Sequence, residues 1–132
     1  MWSYQLFRIG AFILALNGMF HLFVHFGNKG VKPVNGTEFQ LQELMYGYKS
    51  PVMGTMRSQG DIYDGHSLGY SVFLFTLAAL GFTLPVRRKA SIVITASLAV
   101  MLGISLTYWF IMPTAFLVAA LLCFAGSAYL DK

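Results

Sequence analysis

The sequence predicts an all-α, polytopic membrane protein built from four transmembrane helices, and three observations carry that prediction. Only 11% of its 132 residues are charged while 57% are hydrophobic, against roughly a quarter charged in soluble domains. The mean hydropathy is +0.64. Cutting the chain at its charges leaves apolar runs that match the about 20 residues a helix needs to cross hydrocarbon. A soluble globular protein is thereby excluded. So short a chain, divided among spans, also leaves no room for a separate soluble catalytic domain, and 1–132 is read as one unit.

The first span is expected at about 6–27, between Arg8 and Lys29. Arg8 ahead of an apolar stretch resembles a signal peptide, but no small-x-small cleavage site follows and two histidines interrupt the run, so the segment reads as a retained helix. The loop at about 28–64 is more than a linker. Asn35-Gly36 makes a turn, Thr37 and Gln40 have capping-box spacing, and Leu41, Leu44, Met45 and Tyr48 recur at i, i+3, i+4, i+7 until Ser50-Pro51. That pattern predicts a short amphipathic helix on the membrane surface. The second span is expected at about 65–85. Residues 91–130 carry no charge at all, too long a run for one crossing, so Met112-Pro113-Thr114 divides it into spans at about 90–111 and 114–130. Tyr108, Trp109 and Phe110 before the break have the composition of an interfacial aromatic belt.

An even number of spans puts both ends of the chain on one side, with Arg8, Arg87, Arg88, Lys89 and Lys132 close to span ends. Lys29, Lys32, Lys49 and Arg57 are spread over the long loop opposite. The denser cluster marks the cytoplasmic side, and the long loop faces outward. The net charge of +4 is accounted for by these flanks, which removes the case for a nucleic-acid partner. The lone Cys123, between Leu122 and Phe124, reads as packing material.

Helical projection at 100° per residue assigns the faces. In the first span Ile9, Phe12, Leu16, Phe20 and Phe23 form a bulky arc for lipid, while Asn17, His21 and His25 fall beside Gly10, Ala11, Ala15 and Gly18 on an arc for other helices. In the second, Asp61, Asp64, Gly65, Ser71 and Ala78 share one half, with His66, Tyr70, Phe73, Leu77, Leu80 and Leu84 opposite. His66 is therefore expected to face lipid. The third span offers Ser91, Thr95 and Ser105, hydroxyls expected to bond their own helix backbone. The last turns Ala115, Ala119, Leu122 and Gly126 inward.

The residues able to carry function gather at the outward end. Ionisable groups at bilayer depth are costly and need a partner or a purpose. The expected ligand-binding set is Asn17, His21, His25, Arg57, Asp61 and Asp64, with His21, His25 and Asp61 the candidates for catalysis. Arg57 and Asp61 pair at i, i+4 if the helix already runs there. His21-x3-His25 has metal-ligand spacing, yet no HExxH glutamate or neighbouring cysteine accompanies it, and His66 points the wrong way to complete a haem site. No bound metal is therefore expected, and no cofactor is favoured.

The stretch from Met53 to Leu68, with Met53-Gly54, Arg57-Ser58, Asp61 and Gly65, together with His21 late in the first span, resembles the signature of a family of small, uncharacterised bacterial four-helix membrane proteins. The resemblance implies the four-helix fold, a bacterial inner (cytoplasmic) membrane, and importance for the matched residues. It supplies no reaction. The combined expectation is an outward-facing polar pocket that binds an amphiphile such as a lipid or quinone. A membrane-embedded isomerase or oxidoreductase using a His/Asp couple, metal- or haem-dependent or not, and an accessory subunit or homo-oligomer in a larger membrane complex, are the alternatives.

Overall fold

The computed structural model describes residues 2–29, 31–85, 88–108 and 111–131. Arg87 and Lys132 of the predicted cytoplasmic cluster, and Trp109 and Phe110 of the predicted aromatic belt, lie outside the described residues. The described chain runs α1 (Trp2–Asn28), α2 (Gly36–Gly47), β1 (Lys49–Val52), β2 (Thr55–Ser58), α3 (Gln59–Thr83), α4 (Arg88–Tyr108) and α5 (Ile111–Leu130). Four of these helices, α1, α3, α4 and α5, are long and apolar enough to cross a membrane. The protein is thus an all-α bundle with multi-pass membrane architecture.

Element boundaries correct the sequence reading in three places. The first is α2, which is capped by Asn35 and Glu38, not by Thr37 and Gln40. The Asn35 side chain accepts from the Glu38 amide at 2.9 Å and the Glu38 carboxylate accepts from the Val34 amide at 2.7 Å. It ends at Gly47, with Tyr48 already extended. Second, Ser50-Pro51 lies in a β-strand. β1 pairs antiparallel with β2 in the register Lys49↔Ser58 to Val52↔Thr55, and Met53 (φ 47°) and Gly54 (φ 82°) close the two-residue turn. Such a hairpin turn requires positive φ at both positions, which glycine meets freely and methionine meets under strain. The Met-Gly of the family-like signature is this turn.

Third, α3 begins at Gln59, six residues before the predicted span. Ser58 accepts from the Asp61 amide at 3.0 Å and Asp61 accepts from the Ser58 amide at 2.9 Å, a reciprocal cap that starts the helix in the run of glycines and acids. Between α4 and α5 the described helices end at Tyr108 and resume at Ile111, so Pro113 sits inside the first turn of α5, where its missing N–H costs nothing.

In space α1 lies between α3 and α5, and α4 packs on α5. All four contribute to one core: Phe7, Ala11 and Leu14 of α1, Tyr70, Leu74, Leu77 and Ala78 of α3, Ile94 and Leu98 of α4, and Leu117, Ala120 and Phe124 of α5. Small residues set the helix spacing. A Cβ at Gly81 would come within 2.6 Å of the Ala11 Cβ, so α3 closes on α1 only because that position has no side chain. The Phe7 and Phe124 rings meet edge to face, 5.1 Å apart.

The exposed arc of α1 is the predicted one, with Ile9, Phe12 and Phe23 open to the surroundings. The inward face of α5 is not. Leu117, Ala120, Phe124 and Ser127 are buried, whereas Ala115 and Leu122 are exposed and with Ala119 line a surface groove beside Leu106. Small residues identified a close-packing face on α1, but on α5 the core is filled by Leu and Phe, so small size misdirected the assignment.

At the end where α1 starts and α5 finishes, hydroxyls tie three helices. Ser3 Oγ donates to the Ser127 carbonyl at 3.2 Å, and Ser91 Oγ lies 3.3 Å from Ser127 Oγ. At the opposite end Ser105 of α4 bonds Thr114 of α5 at 2.6 Å. Of the three hydroxyls expected to serve their own helix, only Thr95 does so, donating to the Ser91 carbonyl. Arg8 donates from Nη1 to the carbonyls of Gly81, at 3.1 Å, and Phe82, closing the last turn of α3.

Candidate functional site

Asn17, His21 and His25 succeed one another at i, i+4, i+8 on α1, one turn apart, so their side chains stack on one face. That face meets α3. Asn17 is fully buried and its Nδ2 donates to the Tyr70 hydroxyl at 3.3 Å. The His21 ring meets the Tyr70 ring edge-on with centroids 4.6 Å apart. His25 is 6% exposed, and its Nδ1 stands 3.7 Å from Asp64 Oδ1. That distance is an ion-pair contact and too long for a hydrogen bond. The result is a polar ladder between two spans, rising from Asn17, about 16 Å along the axis from the end of α1, to the His25–Asp64 pair near its mouth.

α2 packs on the first turn of α3, near the upper rung. The Tyr46 ring of α2 lies on Gly60 so tightly that a Cβ there would overlap it, which anchors α2 to the first turn of α3. Burial at that contact, and then the charges of Asp64, Tyr63 and Asp61, push the Tyr46 hydroxyl above its ordinary range, which places Tyr46 in the field of the ladder's carboxylate. Of the predicted apolar stripe, Leu41 and Leu44 of α2 and Tyr48 just beyond it are more than half exposed, and Met45 is 39% exposed.

Of the six residues expected to bind ligand, the structure brings together Asn17, His21, His25 and Asp64. Arg57 and Asp61 stand apart from them. Arg57 is on strand β2, exposed, and faces Ser50 in the ladder register, so the i, i+4 geometry with Asp61 does not exist. Asp61 is exposed, and its carboxylate accepts from the Ser58 amide as a helix cap. His66 is exposed on α3, as its projection predicts.

Tyr70 is the member that sequence reasoning missed. The projection put it on the half of the span opposite Asp64 and Ser71, but the buried stripe runs Tyr70, Ser71, Leu74, Leu77, Ala78 and Gly81. Centring the projection on Ala78 and Gly81, the residues small enough for close approach, would have found it.

Two buried polar atoms of the ladder, Asn17 Oδ1 and His25 Nε2, have no hydrogen-bond partner among the described residues. Such atoms carry a desolvation cost of about 1–3 kcal/mol each. No group of three or more His, Cys, Asp or Glu able to hold a metal ion occurs among the described residues. The two apolar grooves described, one beside Leu106 and Ala119 and one along Met19, Leu22 and Phe26, include no member of the ladder. Chemically the ladder offers hydrogen bonds at several depths and one imidazole–carboxylate couple. No family model, curated protein or solved structure matches this chain.

Proposed function

We propose that this is a small multi-pass protein of the bacterial inner membrane, with both ends cytoplasmic and α2 and the hairpin outside, that binds a lipophilic molecule through the ladder between α1 and α3. One observation carries the reading. Asn17 and His25 are buried between membrane-crossing helices, and each keeps a polar atom with no partner among the described residues. An orphaned polar atom in hydrocarbon is expensive, and a ligand that pairs with these atoms offsets that cost. The ligand class that fits is an amphiphile, a quinone-like ring or a lipid, entering from the outer leaflet. The likeness of the Met53–Leu68 stretch to small bacterial four-helix membrane proteins supports the topology and adds nothing on the ligand.

The His25–Asp64 contact favours a second reading, in which the couple moves a proton to or from the bound molecule and the protein is a membrane-embedded enzyme. Both readings require a ligand at the ladder. Native mass spectrometry of the protein released from mild detergent tests them together. A bound amphiphile carried by the parent protein and lost from Asn17→Leu, with His66→Phe as the unaffected control, is the expected result. Identical spectra for the parent and Asn17→Leu would remove the ligand from the ladder.

A further inference from the structure

Resting on that reading and sharpening it, we infer that the deep rung of the ladder, Asn17, presents a hydrogen-bond acceptor and so selects a ligand that carries a hydroxyl into the hydrocarbon. The ligand class is a lipophilic alcohol or phenol, with a quinol as the membrane example, in preference to carbonyls, ethers or phosphates.

The orientation of the Asn17 side chain carries the sign. Asn17 uses Nδ2 to donate to Tyr70, so the atom left over is Oδ1, an acceptor, on a residue with no exposed surface. His25 turns Nδ1 toward the Asp64 carboxylate, and its Nε2 is also buried without a partner among the described residues. The orphaned atom whose sign the geometry fixes is Asn17 Oδ1. A quinone carbonyl, an ether or a phosphate ester brings only lone pairs to meet it and leaves it unsatisfied, whereas one O–H satisfies it at once.

Depth then separates the sources of a hydroxyl. Asn17 Oδ1 belongs to a rung about 16 Å below the end of α1, beyond the reach of a glycerol or headgroup hydroxyl held at the interface. His25 is within about 5 Å of that end, at the level where a headgroup hydroxyl resides. A phenolic or alcoholic O–H on a ring buried among acyl chains reaches the deep rung, and this is the rung to which the selection is assigned.

The test varies the ligand first, so that it does not depend on any variant folding. The full chain in phosphatidylcholine nanodiscs is titrated with decyl-hydroquinone kept reduced by dithionite, with the corresponding decyl-quinone, and with the dimethyl ether of the hydroquinone, following intrinsic fluorescence. Binding of the hydroquinone at least tenfold tighter than both others supports the inference. Equal binding of all three, or tighter binding of the quinone, overturns it and leaves amphiphile binding intact. Failure of all three to bind overturns the underlying reading as well. Two further arms locate the rung. Asn17→Leu, its fold checked by circular dichroism, is expected to bring the tenfold preference close to unity, and a preference that survives it overturns the assignment to the deep rung. Dioctanoylglycerol competing as well as the hydroquinone would also overturn that assignment, by placing selection at the interface.

Discussion

The two ends of the bundle solve the same problem, polar side chains among membrane helices, in opposite ways. Where α1 starts and α5 finishes, short hydroxyls find each other across helices, and Arg8 caps carbonyls that α3 would otherwise leave open. At the loop end Ser105 and Thr114 make one hydroxyl pair of the same kind, but the polar groups between α1 and α3 are long, aromatic or ionisable, and Asn17 and His25 retain buried atoms with no partner among the described residues. The first end leaves one such atom, Arg8 Nε, on a side chain whose Nη1 caps α3. The second leaves its orphaned atoms on the rungs between α1 and α3. Membrane hydrogen bonds are worth little individually, about 0.6 kcal/mol on average, so stability should depend on packing and on Arg8 at the first end and be nearly indifferent to side-chain identity at the second.

That contrast can be broken at either end. The largest effect is expected from Gly81→Leu, which drives a side chain into Ala11 and forces α3 away from α1 near Arg8. Overpacking of this kind costs about 3 kcal/mol or more, and size-exclusion chromatography in mild detergent should show loss of the monodisperse species. Next is Arg8→Leu. It removes two charge-assisted bonds to the Gly81 and Phe82 carbonyls and should lower unfolding free energy by about 2 kcal/mol in an SDS titration.

The His25–Asp64 contact stands between the two regimes. A double-mutant cycle with His25→Gln and Asp64→Asn should give a coupling of about 1 kcal/mol, and strict additivity would mean that the 3.7 Å contact has no energetic content. Asn17→Leu should change stability by less than about 1 kcal/mol in either direction, since an isosteric apolar group exchanges one weak bond for relief of an orphaned acceptor. A loss comparable to that of Arg8→Leu would make the loop end a cohesive element like its opposite. His66→Phe, on an exposed position, should shift stability by no more than about 0.5 kcal/mol.

How much of this was legible beforehand follows the same division. The spans were readable because hydropathy depends only on composition over a long window, and the inward placement of Asn17, His21 and His25 followed from their fixed spacing on one uninterrupted helix. The hairpin was not. Its turn uses Met-Gly where Asn-Gly is the usual signal, and one of its strands contains a proline, which an unshared edge tolerates. Asp61 was misread for a related reason. An aspartate near a predicted span resembles a buried charge until the preceding Ser58 shows it to be half of a cap, and that depended on the helix starting six residues early. Tyr70 was lost to an averaging problem. α3 has apolar residues all round, so a projection of polarity has no preferred direction, and only the small residues record where another helix passes.

The contact between Ser3 and Ser127 joins the first helix to the last across nearly the whole chain. During synthesis α1 enters the bilayer long before α5 exists, so Gly10 and the buried Phe7, which meet Phe124, must face lipid or the insertion machinery until α5 arrives. The long loop lets α3 reach α1 early, but the side of α1 that receives Phe124 stays uncovered. Cover for that side of α1 therefore waits for α5. A stalled chain lacking that helix would present to quality-control proteases an α1 stripped of one flank, with its polar rungs already in place.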